Sequence, residues 1–134
     1  MEYYKSASVH LNLALKYLEE GKTLSDKDPI QASEKLYKAA EEALKAMALV
    51  LGLDEARKAV EQGRWSSTLL FDTIDSIAIK LGVNELPLWW RAAWFLHVEG
   101  FHEAKLSVER IKKDSKYVNA IVDLAKKVLQ GKNM

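Results

Sequence analysis

At 134 residues with 49% hydrophobic side chains, the chain is long enough to bury a core without disulfides or a structural metal, and one domain spanning 1–134 is expected. It has no cysteine, which excludes a disulfide framework, a thiolate zinc site, an iron–sulfur cluster and a cysteine nucleophile together. A net charge of +1 argues against a strongly basic nucleic-acid binder, yet the sum hides an asymmetry: from Lys105 onward eight Lys or Arg stand against three Asp or Glu, with twelve and sixteen upstream.

That basic C-terminal segment reads as a solvated helix face, with an RNA or phosphate surface as the alternative. Met1-Glu2-Tyr3-Tyr4-Lys5 carries an acid and no apolar run, so no secretory signal is expected. No stretch approaches eighteen uncharged apolar residues, so no membrane span and a soluble, cytoplasmic protein are expected. Four Asn, three Gln and 29% charged residues suit a thermophile.

Glycine supplies most of the punctuation. Gly21, Gly52, Gly63, Gly82 and Gly131 each follow a helix-like run, where a residue tolerant of positive φ ends a helix at low cost, whereas Gly100 sits inside an apolar-aromatic segment. The first helix, about Tyr3 to Glu20, sets Tyr4, Ala7, Leu11, Ala14 and Leu18 on one face. Asp28, Pro29 and Gln31 combine an N-cap, a first-turn proline and a capping box, starting a second helix that runs to about Leu51. Its inner face carries Ile30, Ser33, Tyr37, Ala40, Leu44, Met47 and Leu51, while Glu34/Lys38 and Glu41/Lys45 form outward pairs.

Asp54 to Gln62 makes a short amphipathic helix, and Ser66 or Ser67 then caps a long one with Leu70, Ile74, Ile77 and Leu81 inside. Asn84 is a candidate cap, with Pro87 in the first turn, for the aromatic run Leu88 to Ala104. Ser107 caps the last helix, where Val108, Ile111, Ser115, Val118, Val122, Ala125 and Leu129 repeat in steps of three and four. Tyr117, Ile121, Leu124 and Val128 form a second stripe there, more apolar surface than one small bundle is expected to cover. No segment alternates with period two long enough for a strand. The expected fold class is all-α, an up-and-down helical bundle of four long helices plus one short helix, with antiparallel neighbours across short connections.

The block Asp28-Pro-Ile-Gln-Ala-Ser-Glu-Lys-Leu-Tyr-Lys-Ala-Ala-Glu-Glu-Ala-Leu-Lys-Ala-Met-Ala48, followed by Trp94-Phe-Leu-His-Val-Glu-Gly-Phe-His-Glu-Ala104, resembles the archaeal PaREP family of small helical proteins. That family is itself similar to HEPN domains, nucleotide-binding bundles that commonly dimerise. The resemblance implies a HEPN-like fold. It also implies two activities for some relatives: metal-independent RNA cleavage, or service as partner subunit of a nucleotidyltransferase.

Catalytic HEPN domains carry an arginine followed four to six residues later by a histidine, and Arg91-Ala-Ala-Trp-Phe-Leu-His97 has that spacing. The resemblance would have His97 move the proton of a ribose 2′-hydroxyl and Arg91 stabilise charge on the scissile phosphate. Ala92 departs from the polar residue usual there. The competing reading is a histidine satisfied in a bundle or dimer seam.

Trp90, Trp94, His97 and Phe101 share one face of this helix, and Trp89, Ala93, Leu96 and Gly100 the next. Such a stripe forms core or subunit interface, with an aromatic pocket for a base or small ligand as the alternative, and buried Trp is expected to partner its N–H. Glu99-Gly-Phe-His102 matches the Glu-x-x-His element of di-iron bundles, but such sites need it twice and His10 and His97 lack it. No metal and no cofactor are therefore expected. Phosphate loops, dinucleotide turns and nucleophile elbows are absent from the sequence. The leading expectation is a non-catalytic, homodimeric bundle acting as a binding or interaction module, with Trp90, Trp94, Glu99, Phe101 and His102 as ligand or interface residues. A ribonuclease using Arg91 and His97 across a dimer cleft, or a partner subunit of a nucleotidyltransferase, is the alternative.

Overall fold

A computed structural model of the chain describes residues 2–132, and the side chains of residues 5–131. In chain order it forms α1 (Glu2–Leu24), α2 (Pro29–Val50), α3 (Asp54–Gln62), α4 (Ser67–Leu81), α5 (Leu86–Phe95), a π-helix (Leu96–His102) and α6 (Val108–Lys132), with no strand among the described residues. The all-helical class stands as expected. Its count does not: six α-helices and a π-helix stand where four long and one short were expected, because the six segments read along the chain already exceed that sum by one and the aromatic run changes its helical pitch partway.

Local chemistry explains most boundaries. Asp28 Oδ1 accepts the Gln31 N–H at 3.1 Å ahead of Pro29, Ser66 Oγ accepts that of Leu69 at 3.2 Å, and Ser107 Oγ accepts that of Arg110 at 3.1 Å. Gly63 and Gly82 close α3 and α4 in the left-handed conformation, at φ 75° and 70°. Asn84 is not a cap, since α5 begins after Glu85, which makes no side-chain capping bond. Gly21 and Gly131 end nothing: α1 continues to Leu24 and α6 to Lys132. At Gly21 the glycine serves packing instead, for a Cβ there would stand 2.7 Å from Leu36 Cγ on α2.

Helix α2 is the centre of the bundle and touches every other element. Its alanines Ala32, Ala39, Ala40, Ala43, Ala46 and Ala48, with Leu36, Leu44 and Met47, are fully buried, so helices approach it from several sides. Around it lie Ile74 and Ile77 of α4, Trp90 of α5 and Ile111, Val118, Ile121 and Val122 of α6, each worth about 1.5–3 kcal/mol of burial. Ile30, expected inside, is exposed at the entry to α2. Tyr4 lies outside the residues whose side chains are described; Ala7, Ala14 and Leu18 of its stripe are buried as expected.

The second stripe of α6 is covered by the chain itself. Ile121 is fully buried, and Leu124 and Val128 pack against the core because α6 contacts α1, α2 and α5 together. Tyr117, Leu124 and Val128 stay half-buried, so much of the anticipated apolar surplus on the last helix is covered.

Gly100 lies in the π-helix where it crosses α2. An added Cβ would stand 2.3 Å from Ser33 Oγ and 2.6 Å from Ser33 Cβ. Gly100→Ala should therefore cost about 1–3 kcal/mol in urea unfolding, opposite in sign to the usual gain of alanine inside a helix. Adding Ser33→Ala should restore little, since the Cβ contact remains.

Candidate functional site

The π-helix brings together side chains that an α-helix would hold apart. Residues five apart differ by roughly 140° around an α-helix, whereas the wider π turn carries them back toward one face. His97 and His102 are such a pair, and their Nε2 atoms stand 3.3 Å apart. The segment ends with the Glu103 N–H donating to the Val98 carbonyl at 2.9 Å and the Lys105 N–H to that of Glu99 at 2.9 Å. Ala104 takes a left-handed φ of 56° to make this exit, a conformation that costs a non-glycine residue roughly 1–2 kcal/mol.

His97 is fixed on its other side by α2. Its Nδ1 stands 2.9 Å from Glu34 Oε1, and the two side chains are 19% and 16% exposed. A carboxylate only accepts, so this contact places the ring proton on Nδ1. The imidazole stacks on the Tyr37 ring with centroids 4.1 Å apart and lies 5.2 Å from Trp94. Burial, then the nearby Glu41 and Glu34 carboxylates, push the Tyr37 hydroxyl far above its ordinary range, so Tyr37 stays neutral.

Trp90 is fully buried, with Tyr37 at 5.8 Å and Phe71 at 6.1 Å, and so belongs to the core. Contrary to expectation its Nε1–H has no hydrogen-bond partner among the described residues. Trp94 is half-buried between Tyr37 and Phe71, and Phe101 lies 5.3 Å from His102. Glu99 is half-buried in the π-helix and makes no side-chain bond among the described residues. Arg91 is exposed and unpaired among them. No hydrogen bond joins it to His97 among the described residues.

The residues missed from sequence are Glu34 and Tyr37. Glu34 does not pair with Lys38, which lies over the Tyr17 ring at 5.9 Å, while the Glu41–Lys45 pair forms at 2.8 Å. A second carboxylate–imidazole pair, Glu42 with His10 at 2.6 Å, ties α1 to α2. On α6 Arg110, Lys113, Lys116, Lys126 and Lys127 are exposed, and Lys112 pairs with Asp26 at 2.8 Å. Among them Asp114 is buried, and burial raises its carboxyl above the usual range against the pull of Arg110, Lys113 and Lys116. No described helix is long and apolar enough to cross a membrane.

Two expectations follow. Glu34→Ala leaves the Nδ1–H of His97 without its acceptor and should cost about 1–3 kcal/mol; imidazole nitrogen NMR should show the Nδ1–H tautomer in the parent chain and its loss in the variant. Because the folded carboxyl of Asp114 is raised, its charged form opposes folding above that titration and not below it. Asp114→Asn should therefore raise the melting temperature at neutral pH, and the gain should vanish in acid.

The model of the Archaeal PaREP1/PaREP8 family matches residues 9–122. A crystal structure of a protein from Sulfolobus solfataricus is 38% identical and superposes with a TM-score of 0.80 over 87% of this chain and 96% of that one. A solution structure of the same protein, also 38% identical, gives 0.75 over 88% and 92%. No curated protein matches the chain.

Proposed function

The chain belongs to the archaeal PaREP1/PaREP8 family, and we propose that it works as a non-catalytic bundle that pairs with a second copy through α5 and serves as a binding or interaction module. The observation that carries this reading is an exposed apolar stripe. Leu88 is 61% and Phe95 41% exposed, with half-buried Ala92 between them at helical spacing.

The stripe is self-complementary. Leu88 lies four residues before Ala92 and Phe95 three after, so two antiparallel copies crossing at Ala92 seat Leu88 against the partner's Phe95 twice. A small residue at the crossing lets the backbones approach. Arg91 borders the same face, which keeps its head in solvent at the rim. A ribonuclease acting across a dimer cleft would need Arg91 of one copy to face the Nε2 edge of His97 in the other; in this chain Glu34 holds Nδ1 of His97, and Nε2 faces His102.

Light scattering at micromolar concentration should report the dimer mass for the parent chain. Leu88→Glu, at an exposed position, should give a folded monomer with an unchanged helical circular-dichroism spectrum. A parent chain that runs as a monomer overturns the reading.

A further inference from the structure

From the His97–His102 contact we infer a divalent transition-metal site in which the two Nε2 atoms are the protein ligands and Glu34 is the outer carboxylate. Three observations support it. The first is distance: two nitrogens each about 2.05 Å from one tetrahedral ion stand about 3.3 Å apart, and His97 Nε2 and His102 Nε2 are separated by 3.3 Å. The second is protonation. Glu34 holds the proton of neutral His97 on Nδ1 at 2.9 Å, which leaves the Nε2 lone pair free on the ring edge beside His102. A carboxylate bonded to the far nitrogen of a ligating imidazole is the arrangement that orients such ligands and raises their basicity.

The third is the backbone. A seven-residue π-helix and the left-handed Ala104 that follows it are both costly, and together they place these two rings side by side. Packing alone does not require this, since His102 is exposed and adds nothing to the core. His97 is pre-oriented by the stacked Tyr37 and by Trp94, so one ligand is rigid and the other free to adjust.

Two imidazole donors suit Zn²⁺, Ni²⁺ or Cu²⁺ and not Mg²⁺ or Ca²⁺, which take oxygen ligands. Among the described residues no three metal-ligating side chains converge, so the remaining positions fall to water or to an exogenous ligand. His102 in its neutral form ligates through Nε2 with its proton on Nδ1. The site is formed within one chain and stands independently of self-association.

The test is calorimetric titration of the full chain with Zn²⁺, Ni²⁺, Cu²⁺ and, as reference, Mg²⁺. One equivalent of each transition ion should bind and Mg²⁺ should not, with shifts of the His97 and His102 ring nitrogens in NMR. His102→Ala, at an exposed position, should weaken binding by more than tenfold, and Glu34→Gln by about 10–100-fold. His10→Ala removes a carboxylate-bound imidazole and should change nothing. Unaltered affinity in folded His102→Ala, loss of binding in His10→Ala instead, or no transition-metal binding at millimolar ion overturns the inference.

Discussion

The close approach of neighbouring helices to α2 is the constraint on which the rest of the structure depends. Its buried alanines leave a thin cylinder, and glycines of two neighbouring elements come close against it. Gly21 of α1 lies over Leu36, and Gly100 of the π-helix lies over Ser33. Neither contact survives a Cβ without displacement. One residue beyond Ser33, Glu34 reaches His97, and Tyr37 lies under the same imidazole. The functional cluster is thus a consequence of how near the π-helix sits to α2. A bulkier α2 would hold Glu34 and His97 apart.

Features governed by a few adjacent residues were legible in the sequence. Asp28, Ser66 and Ser107 are caps because each oxygen meets an N–H three residues on, a relation that needs no tertiary information. Gly63 and Gly82 are turns for a similar reason. Gly21 shows the limit: one residue type serves both positive φ and close packing, and only the position of Leu36 distinguishes them. The apolar surplus was assigned to the aromatic run and the last helix together by counting stripes. Burial depends on where the neighbours lie, however: α5 and α6 each have three α-helical ones, yet α5 leaves Leu88 and Phe95 uncovered.

The site was half legible. Its histidines and aromatic residues stood out by type and spacing, but their grouping assumed an α-helix throughout Leu88 to Ala104. On that assumption His97 and His102 point apart, while Arg91 and His97 attract attention only through the spacing that the family resemblance supplies. Periodicity over so short a window cannot register a change of pitch, and the one trace of it was Gly100, which no helix end explained. Glu34 was hidden differently, since it lies 63 residues from His97 and a lysine four residues on offered a simpler partner.

The π-helix also makes the number of residues in this stretch a structural variable in its own right. A wide turn accommodates one residue more than an α-helix of the same rise, so the flanks keep their register while the side chains within the turn change direction. Trp90 and Leu96 are anchored in the core ahead of the exit and Ile111 beyond it, so a change of length must be taken up within the turn. Whether the two imidazoles meet is therefore written in the spacing of the chain as much as in the identity of the residues. Relatives whose chain is α-helical here would need their histidines four apart, not five, to bring the rings onto one face.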